Sequence, residues 1–216
     1  MSGTEASRVP AATMVPRVRT GIRSLIRVVL VLRPMVEPDE RVLEEATARR
    51  RKLRPGELVE LVERHGSRDR PGVARDVIET HAAALNERLR GQFDAGTVRD
   101  AIDERLTESE TWVDENALYA VGDRVSVYPA RWHETLGGST DLPAYVEFLR
   151  EATAFREDVD SGGRGRGVPK DALLDAVSVI GRVERRAAKA RLDELRKEGV
   201  VAEDADQHPE SRVRLT

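Results

Sequence analysis

The last fifty residues constrain this chain more than any other stretch. From Arg182 to Glu198 an arginine-rich segment places Ala188, Leu192 and Leu195 at i, i+4 and i+7, which puts them on one face of a helix. Gly199 stops that helix. The apolar pair Val200-Val201, a polar turn and Arg212-Val213-Arg214-Leu215 then read as two short strands. Strand alternation turns Val213 and Leu215 inward and Arg212 and Arg214 outward. The chain must fold the helix against the ribbon and leave basic side chains on both.

The rest of the composition does not favour a basic surface. The 216 residues carry a formal net charge of −3, but residues 1–34 hold six arginines and one acid. The remainder holds 30 basic and 38 acidic residues and is therefore at −8. Any contact with nucleic acid has to come from a local patch, because the field of the whole body opposes it. Only four of the 36 basic residues are lysine, and 35% of the chain is charged, a composition that fits GC-rich coding and a salty cytoplasm. No cysteine is present, which excludes disulfides, thiol nucleophiles and cysteine-based zinc sites. The expected location is the cytoplasm.

Residues 1–34 stand apart. Ile22 to Leu32 is apolar but short, and Arg23 and Arg27 interrupt it, so it satisfies neither a spanning helix nor a signal peptide. The expectation is an extension outside the fold, or a start of translation at Met35, with an amphipathic surface helix as the alternative. No membrane partner is expected.

From Met35 the pattern becomes helical. Glu37–Lys52, a helix from Pro55 with Leu58, Leu61 and Val62, a long helix from Pro71 to Arg90, and a short one capped by Thr97 with Val98, Ile102 and Leu106 follow in order. Residues 117–121 and 124–128 flank Gly122-Asp123, a two-residue loop suited to a type II′ hairpin. A second series begins at Ser139-Thr140-Asp141 with Val146, Leu149 and Ala152. It continues past the glycine-arginine loop 161–167, a flexible linker, to a helix starting at Pro169 with Leu173, Leu174 and Val177, and Gly181 turns it into the arginine-rich helix. The two series repeat weakly. Trp112-Val113-Asp114-Glu115 matches Val200-Val201-Ala202-Glu203, and Arg124-Val125-Ser126-Val127 matches Arg212-Val213-Arg214-Leu215. The fold expected is mainly α with small β-hairpins, as tandem winged-helix-like units over 35–138 and 139–216.

Gly167-Val168-Pro169, Leu173-Leu174, Ala188, Leu192, Leu195, Gly199-Val200-Val201 and the closing Arg214-Leu215-Thr216 resemble archaeal winged-helix domains. They are particularly similar to the C-terminal domain of the archaeal minichromosome-maintenance helicase. The similarity covers the last third of the chain. The helicase motor is missing, so the resemblance implies a module that binds DNA or docks a protein, and no helicase activity.

Six basic residues form the expected DNA-binding set: Arg182, Arg186, Lys189 and Arg196 on the helix, with Arg212 and Arg214 on the wing. Arginines at such places can fork onto phosphates or guanine edges. The competing reading is a solvated helix laced with ion pairs, since Glu184, Asp193, Glu194 and Glu198 are interleaved. Trp112, Tyr119, Tyr128 and Trp132 gather around the first hairpin, as core or as a stacking platform.

No enzyme is indicated. Asp171 stands where a phosphate-binding loop needs Ser or Thr, Gly137 stands where a metalloprotease helix needs its second histidine, and the four histidines lack ligand spacing. No catalytic residue, cofactor or metal is expected. The function expected is a non-enzymatic DNA-binding protein, a transcriptional regulator acting on double-stranded DNA. The alternative is a winged-helix adaptor in a replication, repair or transcription assembly. A protein partner or a second copy of the chain is a further expected partner beside DNA.

Overall fold

The computed structural model describes residues 37–49, 53–67, 69–91, 93–152, 167–204 and 211–216. The extension 1–34, most of the glycine-arginine loop and the polar turn of the wing lie outside them. Residues 36–216 form one compact unit. Its element order is α1 (Glu40–Arg49), α2 (Pro55–His65), α3 (Arg75–Arg88), α4 (Ala95–Arg105), β1 (Leu106–Thr107), β2 (Leu118–Val121), β3 (Arg124–Ser126), α5 (Ala130–Leu136), α6 (Leu142–Glu151), β4 (Val168–Pro169), α7 (Lys170–Ile180), α8 (Arg185–Lys197), β5 (Val201–Asp204) and β6 (Arg212–Leu215). The protein is mainly α with small sheets.

The second lobe has the winged-helix order: helix α6, strand β4, helices α7 and α8, then β5 and β6. Its sheet runs β4-β6-β5, antiparallel throughout, with Val168 opposite Val213 and Glu203 also opposite Val213 from the other side. The first lobe follows the same plan with α2, α3, α4, β2 and β3. A single bridge residue, Val73, pairs antiparallel with Val125 and takes the place of β4. Val73 stands two residues before α3, as Val168 stands two before α7. An extra parallel strand, β1, adds to the outer edge of β2, and α1 packs on α2 and α3.

Several boundaries differ from the sequence reading. Pro71 to Ala74 is not helical, because Val73 is needed as a strand and Gly72 must approach β3 closely. A Cβ on Gly72, at φ +70°, would lie 3.1 Å from the Arg124 side chain and 3.2 Å from the Val125 carbonyl. Pro169 belongs to β4, not to α7. Asp94, not Thr97, caps α4; its carboxylate accepts from the N–H groups of Gly96 and Thr97, both at 3.1 Å. The repeat is also shifted. The residue opposite Val125 is Ala120, so Ala120 is the counterpart of Glu203. Val113, 54% exposed, is not the counterpart of Val201, which is 2% exposed. The buried Leu118 fills that role.

Two cores follow from these paths. One gathers Val42, Leu58, Leu61, Ile78, Leu85 and Ile102, with Leu118 and Val125. The other gathers Leu142, Tyr145, Leu149, Leu173, Leu192 and Val213, and also recruits Tyr128, Trp132 and Leu136. Helix α5, unforeseen in the sequence, therefore belongs to the second core although it precedes residue 139. Val127 packs against both cores, and α2 lies against α7.

Candidate nucleic-acid interface

Helix α8 occupies the third-helix position of its lobe, the one a winged helix presents outward. Ala188, Leu192 and Leu195 are buried against the second core, as their spacing requires. The opposite side exposes Arg186, Ala187, Lys189, Ala190, Arg191, Glu194 and Lys197. Small side chains at 187 and 190 leave room for a backbone or duplex to come close between the longer cations.

The six expected residues divide into groups. Arg186 is exposed, with no ion pair among the described residues. Lys189 is exposed, its Nζ 3.2 Å from Asp193 one turn on. Arg196 leans to the wing, 3.4 Å from Glu203. Arg214 is exposed on β6, its Nε 3.5 Å from Asp204. Arg212 is half-buried and donates to the Gly167 carbonyl at 3.0 Å, so part of its guanidinium closes the sheet. Arg182 is a correction. It lies before α8, in the turn after α7, with φ +50° and only 9% exposure, and it donates to the Arg70 carbonyl of the first lobe. Its place is structural.

Lys197 was missed in the sequence, although it lies seven residues after Ala190 on the outermost line of the helix. Glu203 was missed as well. Its carboxylate is almost wholly buried and accepts from Ser211 Oγ at 2.9 Å and from Lys170, which ties β5 to β6 and α7. That acid sits in the wing for structure, where desolvated carboxylates need several donors.

The first lobe shows what an equivalent helix looks like without a basic surface. Helix α8 carries six basic and two acidic residues, whereas α4 carries two basic and three acidic. Arg99 on α4 is held by Glu79 in a two-pronged pair at 2.8 and 2.9 Å. The first hairpin ends in Gly122-Asp123, and Asp123 pairs with Arg70 at 2.7 Å. The excess of basic over acidic residues is therefore on α8 and not on α4, although Arg185, Lys189, Arg191 and Arg196 are paired with acids there too.

Between the lobes lies a buried polar node. Glu63 of α2 accepts from the Gly72 N–H and from Ser126 Oγ, both at 2.8 Å, while Ser126 Oγ is also 2.8 Å from His133 Nε2. Burial pushes the Glu63 carboxyl up to about 7. Burial, aided by the Arg182 charge, pushes the His133 imidazole down to about 4. Serine, histidine and a carboxyl meet here, but not as a nucleophilic site. The acid contacts the serine and Nε2, whereas a triad needs it on Nδ1, and Ser126 and Glu63 are both fully buried. Among the described residues no group of three or more His, Asp or Glu could hold a metal, and no helix is long and apolar enough to cross a membrane. No protein-family model, no curated protein and no solved structure matches this chain.

Proposed function

We propose that this protein binds double-stranded DNA through α8 and the β5–β6 wing of its second lobe, as a non-enzymatic regulator of transcription. The observation that carries the reading is the charge contrast between two topologically equivalent helices. Both α4 and α8 bury a small or apolar triplet, so their cores alone do not set the charge on the other side. Only α8 has a net charge of +4, in a body that is otherwise acidic. Clustered cations of that kind attract the phosphate backbone.

Arg186, Lys189, Lys197 and Arg214 supply about four phosphate contacts, which corresponds to a slope of log K against log[salt] of roughly −3 to −4. The test is an anisotropy titration of the full chain against mixed genomic fragments at low salt. Arg186→Glu combined with Lys189→Glu abolishes binding with the circular dichroism unchanged, since both side chains are in solvent. Absence of binding by the wild type, or equal binding by the double reversal, would overturn the reading. The adaptor function would then take its place.

A further inference from the structure

We propose that the cleft between the two lobes binds a small organic cation, an alkylammonium or guanidinium compound, with Glu60 and Asp175 as its anionic walls and Trp112, Tyr128 and Trp132 as its aromatic lining. The cleft has a volume of about 420 Å³, within the range of small-molecule sites. Glu60 projects from α2 of the first lobe and Asp175 from α7 of the second. The aromatic groups come from the β1–β2 connection, the end of the first hairpin and α5.

The polar groups here lack partners that a folded core would normally supply. Tyr128 is only 7% exposed, yet its hydroxyl makes no hydrogen bond among the described residues and opens on the cleft. Trp132, 3% exposed, likewise has no acceptor for its indole N–H among them. The Glu60 carboxylate accepts no hydrogen bond there either; its nearest cation is Arg64 Nη1 at 3.9 Å. Asp175 is held from outside by Arg185 Nε at 3.0 Å. Tyr128 and Trp132 are thus nearly buried side chains whose polar atoms are left for whatever occupies the cleft they line.

The chemistry selects a cation. Four carboxylates, Glu57, Glu60, Glu115 and Asp175, line the cleft against two guanidinium groups, Arg54 and Arg105. Arg54 is already engaged with Glu57 and with Asn116 Oδ1 at 3.4 Å. Burial raises both Glu60 and Asp175, each carboxylate adds to the effect on the other or on Tyr128, and a positive group between them would relieve it. The rings stack in a continuous series: Trp112 lies 5.6 Å from Trp132 and 5.9 Å from Tyr128, and Tyr128 lies 5.2 Å from Trp132. Aromatic rings beside carboxylates recognise ammonium and guanidinium groups through the ring quadrupole, which disfavours an anion. The site is independent of the DNA reading.

The chain has two tryptophans, Trp112 and Trp132, and both line this cleft. Intrinsic tryptophan fluorescence therefore reports on it directly. The full chain is titrated with 1,4-diaminobutane, agmatine and tetramethylammonium, each against sodium chloride at matched ionic strength. A saturable change with at least one cation, not reproduced by sodium chloride, is expected. Glu60→Gln weakens it tenfold or more and Tyr128→Phe severalfold, with the circular dichroism of both variants as in the wild type. If no cation gives a saturable signal at millimolar concentration, or if Glu60→Gln binds as the wild type does, the proposal fails. If Glu60→Gln does not fold, Asp175→Asn serves in its place and is held to the same tenfold loss.

Discussion

The buried node at Glu63 makes a prediction whose sign and size both follow from its geometry. The native carboxyl titrates near 7 and an unperturbed one at 4.5, so between these values the folded protein holds more protons than the unfolded chain. Stability contributed by a neutral Glu63 is fully present below pH 4.5 and is lost as pH rises towards 7. The interval corresponds to about 3 kcal/mol. His133 runs the other way. Its native value near 4 lies below the ordinary 6.5, so the folded state holds fewer protons in that window and gains a similar amount of stability as pH rises. The two contributions cancel in the wild type over roughly pH 4.5–6.5. Glu63→Gln separates them. Glutamine can accept from the Gly72 N–H through Oε1 and set its amide against Ser126 Oγ, which is then free to donate to His133 Nε2, so at pH 4.5 the variant matches the wild type within about 1 kcal/mol. By pH 8 it exceeds the wild type by about 3 kcal/mol. Urea unfolding followed by circular dichroism from pH 4.5 to 8 measures this directly. A variant destabilised equally at every pH would show that Glu63 is ionised throughout and held as an ion pair, and the reasoning would be refuted.

Leu192→Ala removes a buried side chain from the second core and should cost about 2–5 kcal/mol in urea unfolding; a loss below about 0.5 kcal/mol, typical of surface positions, would contradict its placement. Gly181→Ala puts a Cβ 2.6 Å from the Val177 carbonyl and 2.7 Å from that of Ser139. Neither backbone oxygen can yield cheaply, so the thermal midpoint should fall with a cost of about 1–3 kcal/mol, and an unchanged midpoint would mean that the α7–α8 turn is not packed on residue 139.

Much of the second lobe was legible because its apolar spacing is regular and its punctuation strong. Ala188, Leu192 and Leu195 could only be one face of a helix, and Gly181 and Gly199 mark its surroundings at both ends. The elements that escaped were short. Helix α5 has seven residues between Pro129 and Gly137, too few for a period to show, and its burial of Trp132 and Leu136 depends on a core assembled from distant sequence. Val73 is a single paired residue, invisible to any pattern of alternation. The shifted repeat arose from matching Val113 to Val201 by separation alone, when the first lobe inserts β1 and an aromatic segment before its hairpin. Of the candidate site, exposure could be read from helical spacing, but commitment could not. Arg182 has the composition of a DNA contact and the position of a tie between lobes, and only the left-handed turn that carries it distinguishes the two.

That turn also ties the first lobe to the helix proposed to meet DNA. Helix α8 is aimed by three residues before it. Gly181 fits against the Ser139 carbonyl where no side chain could, and Ser178 Oγ donates to the Val183 carbonyl at 2.7 Å. Arg182, in an uncommon backbone region for a side chain of its size, reaches across to the Arg70 carbonyl. Two of these contacts lie within the second lobe and one crosses to the first. The same seam joins α2 to α7, buries Glu63 against Ser126 and His133, and opens on its edge into the aromatic cleft. The first lobe thus buttresses the helix that carries the excess of positive charge, and it supplies one wall of the aromatic cleft.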